Sequence, residues 1–497
     1  MQFIQTQFDG GRAEDARNAR HNQSALLHHF DVSQRHKLIP YRDMENEAGT
    51  LAVYNIGSVE LFTDSAGTQA IFALGNVSGQ TYPQILEKSA VVTGTFAIST
   101  TGASASGVVI PTTLRGYKNQ NKLYCLKTES STTILESYNP ASNTYAEDVG
   151  TISDTAAKGI YPRPEVHPLD DILYMAAGST VAKLDGATFT ASAVTVPSHL
   201  DIVQLIPYGV WLAIVCVPID QGGRSVMFLW GRDTSIVEMD EAIDLGEGAA
   251  LVAENLQGRI ITISAPATSA GTAVDIVPTL VFRVYAGGEP TVAHEMRWEG
   301  TGTPTTRLKN LKAKHKDDLY FAAIQFLENK TVNQVWRCGF NQSGEFFVTP
   351  DRLVNNDTAL TGTVDGLDII GDYMWVAYNG DGSLKRTNDA ATYTATCIYE
   401  SPTLRSGNTE TVKGASIHFE ALPADGQVVL KYRVDENTSW TTVKTYTTNN
   451  GVRFDASPPE FTTKDGKEWH LRVESTGGAI ITGVEFYSSI KKDKSYV

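Results

Sequence analysis

The chain has 497 residues, 20% of them charged and 41% hydrophobic, with 42 glycines and a formal net charge of −15. That length exceeds one ordinary hydrophobic core and predicts two or more domains. The composition excludes a disordered chain, and the acidic balance excludes a general nucleic-acid binder, which needs a basic face.

No run of residues is long and apolar enough to span a bilayer; the longest is Val210–Val217. The opening Met1-Gln-Phe-Ile-Gln5 has neither the basic nor the apolar part of a signal peptide. Cys125, Cys216, Cys338 and Cys397 stand far apart, without CxxC or Cys/His spacing. That predicts buried thiols rather than disulfides or a zinc site. Together these features predict a soluble chain made in a reducing cytoplasm.

Residues 1–50 read as an arm. Asp9–Arg20 is polar, opened by glycines and rich in arginine, and a thin amphipathic helix is expected over Ala13–His29. Two readings stand side by side. The arm is a strap laid over the ring and pinned by Leu26, Leu27, Phe30, Leu38 and Ile39, or it docks onto a neighbouring subunit. In the second case Arg12, Arg17, Arg20, Phe30, Leu38, Tyr41 and Arg42 are the contact candidates. His21, His28, His29 and His36 lack metal-ligand spacing.

Residues 51–400 repeat one grammar. In Asp170–Thr190 an apolar run (Ile172, Leu173, Tyr174, Met175) turns at Gly178-Ser179, continues through Leu184, and turns again at Asp185-Gly186. The pattern recurs from Lys122, Asp318 and Tyr373. Its strand-like runs are Ala70–Leu74, Leu123–Leu126, Ile172–Met175, Val210–Val217, Arg259–Ile263, Leu319–Ala323 and Tyr373–Ala377. A spacing of roughly 40–60 residues is a propeller period. Each four-stranded blade buries its faces only against neighbours around an axis. The expected fold is therefore all-β, a seven-bladed propeller, with Leu51–Phe62 closing the ring. Pro162–Pro168 reads as a connector, Leu245–Asn255 as a surface excursion, and Lys309–Lys316 as a solvated basic face.

After Ser401–Gly407 the alternation becomes clean. Leu430, Tyr432 and Val434 point one way and Lys431, Arg433 and Asp435 the other; Trp469, Leu471 and Val473 repeat this. Residues 401–490 read as a jelly-roll-like β-sandwich, followed by a polar tail at 491–497. Trp440 and Tyr446 are its candidate glycan contacts, while Trp469 reads as core.

No catalytic constellation appears. GxSxG, HExxH, P-loop and GxGxxG patterns are absent. Asn379–Ser383 has the oxygen-rich look of a cation loop, but a hairpin turn is the commoner account. Thr387–Tyr393 resembles the Asp-box of sialidase propellers, without its glycine. Asp170, Asp171, Asp317, Asp318 and Asp372 sit at strand starts. Paired across a channel they would suit glycoside hydrolysis, though turn capping is the commoner role. The expectation is no enzyme, no cofactor and no metal.

Three stretches carry a resemblance to propeller-type structural proteins at the tail tip of tailed bacteriophages. They are the opening FDGG…FDVSQRHKLIPYRDME, the loosely repeated ring, and the terminal block from Tyr399 through Lys413–Phe419, Val429–Asp435 and Trp469–Val473 to Gly483–Tyr487. No motif in them is diagnostic, so no functional residue is carried over. The resemblance implies a virion protein assembled in the host cytoplasm into a homo-oligomeric, commonly sixfold ring. Such a ring docks portal, adaptor and fibre proteins, has no membrane insertion, and passes DNA without reading its sequence. An acidic lumen would let DNA slide. The alternative is a receptor- or glycan-binding propeller and sandwich, with a propeller glycoside hydrolase third.

Overall fold

The computed structural model describes residues 2–5, 26–28, 30–31, 37–47, 54–77, 84–89, 95–101, 108–109, 114–157, 159–219, 223–232, 235–265, 279–297, 312–327, 330–341, 343–353, 364–378, 383–387, 393, 396–448, 453–457 and 460–490. Among these, everything regular is β except two short 3-10 turns, Lys118–Gln120 and Met239–Glu241.

Seven antiparallel sheets follow one another as the blades of a propeller. Blade 1 is Tyr54–Thr63, Gln69–Val77, Gln84–Lys88 and Ala97–Thr101. Blade 2 is Leu114–Tyr117, Lys122–Glu129, Thr132–Asn139 and Thr144–Ile152, with Val108–Val109 as an extra strand. Blade 3 is Glu165–His167, Ile172–Ala177, Thr180–Asp185 and Thr188–Thr195. Blade 4 is Leu200–Tyr208, Trp211–Pro218, Arg224–Trp230 and Ile243–Glu247. Blade 5 is Ala249–Leu256, Arg259–Ala265, Thr279–Tyr285 and Thr291–Arg297. Blade 6 is Lys312–His315, Asp318–Leu327, Lys330–Phe340 and Phe346–Leu353. Blade 7 is Val364–Ile370, Tyr373–Tyr378 and Ser383–Thr387.

The apolar runs of the repeat are the second strands of the blades. They are buried on both faces, as at Leu173–Ala177, so they read as continuous apolar stretches rather than alternating ones. Their side chains meet across blade boundaries. Leu126, Leu135, Met175 and Leu184 join blades 2 and 3, and Val181, Val194, Ile214 and Phe228 join blades 3 and 4.

The ring closes differently from the expectation. The fourth strand of blade 7 is Met44–Asn46, paired with Ser383–Thr387. Tyr54–Thr63 is instead the innermost strand of blade 1, because Ile56, Val59 and Phe62 need cover on both sides. Three cations hold the closing strand. Glu47 Oε2 lies 2.6 Å from Lys88 Nζ, and Glu47 Oε1 accepts from Arg386 Nε. Arg386 Nη2 reaches Glu45 at 2.6 Å, and Lys385 Nζ donates to Asn46 Oδ1 at 2.8 Å. Lys88 and Glu47 are 1% and 3% exposed, so the pair is desolvated. Nearer the axis, a Cβ on Gly366 of blade 7 would stand 2.5 Å from the carbonyl oxygen of Gly57 in blade 1. That strand contact therefore requires glycine.

The chain divides into two compact units. The second comprises 45–333 and 359–387; the first comprises 1–44, 334–358 and 388–497. Within the first, a nine-stranded sheet wraps one core. Gln427–Val434 buries every second residue, as its alternation predicts. Tyr432, Trp469 and Phe486 stack in sequence, with ring centroids 5.9 and 5.2 Å apart.

The N-terminal segment is a correction to the arm. Gln2–Gln5 pairs with Ile481–Ile490, and Leu26–His28, a strand and not helix, pairs with Cys397–Glu400. Phe30 and Leu38 are fully buried in this core beside Tyr399 and Ile481, so neither is a docking contact. Hydrophobic burial decides their fate: an exposed Phe and Leu lose to a core that lacks cover. Tyr41 is half-buried and Arg42 exposed, while Arg12, Arg17 and Arg20 lie outside the described residues.

Candidate functional site

The first strand of each blade runs along the axis. Together they line one cavity of about 720 Å³, to which all seven blades contribute. Period-two alternation places polar side chains there between apolar neighbours, as in Val59-Glu60-Leu61 and Leu367-Asp368-Ile369. The lining includes Glu60, Arg115, Glu165, Gln204, Glu254, Asn255, Lys312, Lys314 and Asp368, with Arg163 from the segment before blade 3.

Arg163 is the hub. Its Nη1 lies 2.8 Å from Asp368 Oδ1, its Nη2 donates to Glu60 Oε2, and its Nε donates to the Leu114 carbonyl at 3.1 Å. One planar guanidinium thus joins blades 7, 1 and 2, which its fixed fork of donors suits. The carboxylates are held from behind as well. Glu60 Oε1 accepts the Gly116 N–H at 3.1 Å, and Asp368 Oδ2 accepts the Val59 N–H at 2.8 Å. Across the cavity, Lys312 Nζ bonds Glu254 Oε2 at 3.0 Å and the Ala253 carbonyl at 2.6 Å. Glu254 Oε1 accepts the Asn255 N–H at 3.0 Å. Arg115 Nη2 sits 3.2 Å from Glu165 Oε2, and Lys314 Nζ donates to the Asn255 carbonyl at 2.5 Å.

These contacts split the carboxyl groups. Burial raises the Asp368 pKa above the ordinary aspartate value, and Arg163 and the Val59 N–H offset only part of that. Burial pushes Glu254 the same way, but Lys312 outweighs it and its pKa falls below the usual value. Burial pulls the Arg163 guanidinium down, yet Asp368, Glu60 and Glu165 together hold it above the ordinary arginine value.

Glu60, Glu165, Glu254 and Asp368 supply four negative charges, and Arg115, Arg163, Lys312 and Lys314 four positive ones, so the lining is neutral. The chain's net −15 lies elsewhere. Glu60, Glu254 and Asp368 have both oxygens engaged. Glu165 keeps one oxygen without a protein partner among the described residues. The site is a frame of donors and acceptors with no net charge.

Its mouth lies where first strands turn into second strands. Pro168 and Pro207 line the cavity, and the turns beyond them carry Leu169, Val210 and Trp211, all exposed. His167, fully buried, bonds the Trp211 carbonyl through Nε2 at 2.9 Å and so ties the two turns together.

Other sequence candidates fall away from this site. Asp170 caps its own turn, accepting from the Ile172 N–H at 3.1 Å, from the Tyr174 hydroxyl at 2.9 Å and from Arg232, and does not line the channel. Asp171, Asp317, Asp318 and Asp372 are absent from the lining too. Tyr446 is a correction: it is buried against Phe419 in the sheet-domain core, where burial pushes its pKa up to about 12, rather than offering an open ring face. Trp440 is half-buried on the outer face, with Arg433 and Arg472 guanidinium carbons 4.7 and 4.4 Å from its ring. Asn379–Gly382 and Asn388–Thr392 lie outside the described residues. Among the described residues no cluster has the makeup of a metal site, and the four cysteines are buried without a disulfide.

The channel residues escaped the sequence reading. Arg163 stands in what reads as a proline connector, Glu254 in a supposed surface excursion, and Lys312 and Lys314 in a supposed solvated run. The usable signal was a polar or charged residue inside the short segment that precedes each repeat.

No protein-family model matches the chain, and neither does any curated protein. Solved structures do. An exo-beta-1,3-galactanase from Phanerochaete chrysosporium aligns at 8% identity and TM-score 0.33, over 90% of this chain and 100% of its own. A glycoside hydrolase aligns at 11% identity and TM-score 0.28, over 89% and 100%. Hsv2 from Kluyveromyces lactis aligns at 8% and 0.35, over 71% and 95%. The likeness is one of fold. It nevertheless corrects the expectation of no enzyme, since hydrolases stand among the similar structures. The absence of a motif was a poor ground for that expectation. Glycoside hydrolysis needs two carboxylates a set distance apart in space, which strands remote in sequence can supply without a compact motif.

Proposed function

We propose that the propeller is a carbohydrate-recognition module whose reader is the axial channel. One observation carries this: the lining is dense in fixed donors and acceptors, yet its four positive and four negative charges cancel. A neutral, hydroxyl-rich ligand matches such a wall. A polyanion gains nothing from it, because the phosphate-binding term needs uncompensated cations. A volume of about 720 Å³ lies within the range of small-ligand sites.

Calorimetric titration of the full chain with neutral oligosaccharides, acidic polysaccharides and DNA tests the reading. Binding of a neutral glycan that is unchanged between low and moderate salt is expected, and Arg115→Ala should weaken it. Binding of DNA alone with steep salt dependence, or no glycan binding, overturns it. Chromatography of the titrated glycans reads any turnover.

The tail-ring reading is a separate proposal supported by the sequence resemblance. Particle mass tests it: a sixfold ring favours it, and a monomer of 53.9 kDa weighs against it.

A further inference from the structure

Resting on the channel reading, we propose that Trp211 is an aromatic platform at the channel mouth. It would stack on the apolar face of the pyranose ring next to the one held inside.

Trp211 is the exposed tryptophan among the described residues, at 41%; Trp230, Trp336, Trp375 and Trp469 are buried. No ring or cation covers it among the described residues, in contrast to Trp440, whose ring carries two guanidinium groups. It sits at the start of the second strand of blade 4, paired with Tyr208, one residue beyond the lining Pro207. The backbone beneath it is fixed: the buried His167 ring holds its carbonyl, and Arg232 pairs with Asp170 in the adjoining turn. Leu169 and Val210, 59% and 56% exposed, extend the apolar rim on either side.

An exposed aromatic ring is common, but a bare one on a braced turn beside a polar cavity combines both surfaces that a sugar presents. Hydroxyls meet the channel's donors and acceptors, while the C–H face of the next ring lies on the indole. The site therefore selects a neutral oligosaccharide of at least two residues over a monosaccharide. A second copy of this chain is the competing occupant of the same apolar rim.

The experiment titrates neutral β-linked gluco- and galacto-tetrasaccharides and their monosaccharides into the full chain, reading calorimetry and tryptophan emission. Trp211→Ala is expected to weaken the tetrasaccharide about tenfold, leave the monosaccharide unchanged and abolish the emission change, with Trp211→Phe restoring most of the affinity. Equal tetrasaccharide affinity in Trp211→Ala overturns the platform and leaves the channel reading standing. Failure of the unaltered chain to bind any of these sugars overturns the channel reading itself. Sedimentation is run in parallel; self-association lost in Trp211→Ala while sugar binding persists assigns the rim to a second copy and also overturns the platform.

Discussion

The propeller and the sheet domain solve the same problem of covering β-strands in opposite ways. The sheet domain gathers its apolar residues into one core around the Tyr432–Trp469–Phe486 stack. The propeller has no such centre. Its apolar groups lie in separate clusters between adjacent blades, and its axis is occupied by ion pairs. A single core fails at its largest side chain. A ring of nearest-neighbour interfaces fails where it closes.

That contrast can be broken at named points. The largest effect is expected from Trp469→Ala, which removes a fully buried indole from the core shared by the described strands of its domain and should cost about 3–5 kcal/mol in denaturant unfolding. Probes in the propeller should change little. Next comes the seam. Glu47→Ala strands Lys88 and Arg386, both buried, without their shared carboxylate, and should cost ~3–5 kcal/mol at the propeller's transition. Replacing Lys88 and Glu47 together by methionine and leucine should recover the part of that loss that comes from Lys88, while Arg386 keeps only Glu45 of its two carboxylates.

A smaller loss, about 1–3 kcal/mol, is expected for Gly366→Ala, whose new methyl meets the Gly57 carbonyl across the same seam. Comparing it with alanine at Gly209, where a Cβ meets nothing within 4 Å but φ is +58°, separates crowding from backbone strain.

The smallest is a pH effect. The Glu254 pKa is depressed in the fold, so its contribution is present above the unfolded carboxylate pKa and is lost as pH falls through the folded one. Lys312→Met removes the main cause of that depression. Its loss of stability should be greatest at neutral pH, where Glu254 is left charged without its partner, and should shrink as pH falls through the carboxylate range, read as denaturant unfolding by circular dichroism at neutral and acid pH.

What the sequence made legible followed solvent exposure. Strands buried on both faces announce themselves as apolar runs, so Ile172–Met175 and its equivalents were found and the blade number with them. The alternation at Gln427–Val434 was equally plain, because one face is wet. Apart from Tyr54–Thr63, which reads as a strand though not as the innermost one, the innermost strands leave little trace, since Lys312–His315 and Glu165–His167 are short and carry charges that exposed loops also carry. Their charges are matched only by residues far away in sequence: Arg163 and Asp368 are 205 positions apart. The N-terminal strands were misread for a related reason. Leu26–His28 and Phe30 form no local pattern and gain structure only from Cys397–Glu400 and the core behind it. Local chemistry cannot report a partner several hundred residues downstream.

The closing strand also fixes an order of events during synthesis. Asn46 and Lys385 are 339 positions apart, which makes the ring's final pairing one of the longest-range contacts in the chain. At ~5–20 residues per second, the segment around Glu47 waits roughly 20–70 s for its partners to leave the ribosome. Throughout that interval Lys88 has no access to the completed clasp, and blade 1 lacks the neighbour that seals its flank. Contacts of such separation are slow to form. Nascent chains halted before Ser383 should therefore be cut readily by protease in blade 1, and chains released past Thr387 should resist it.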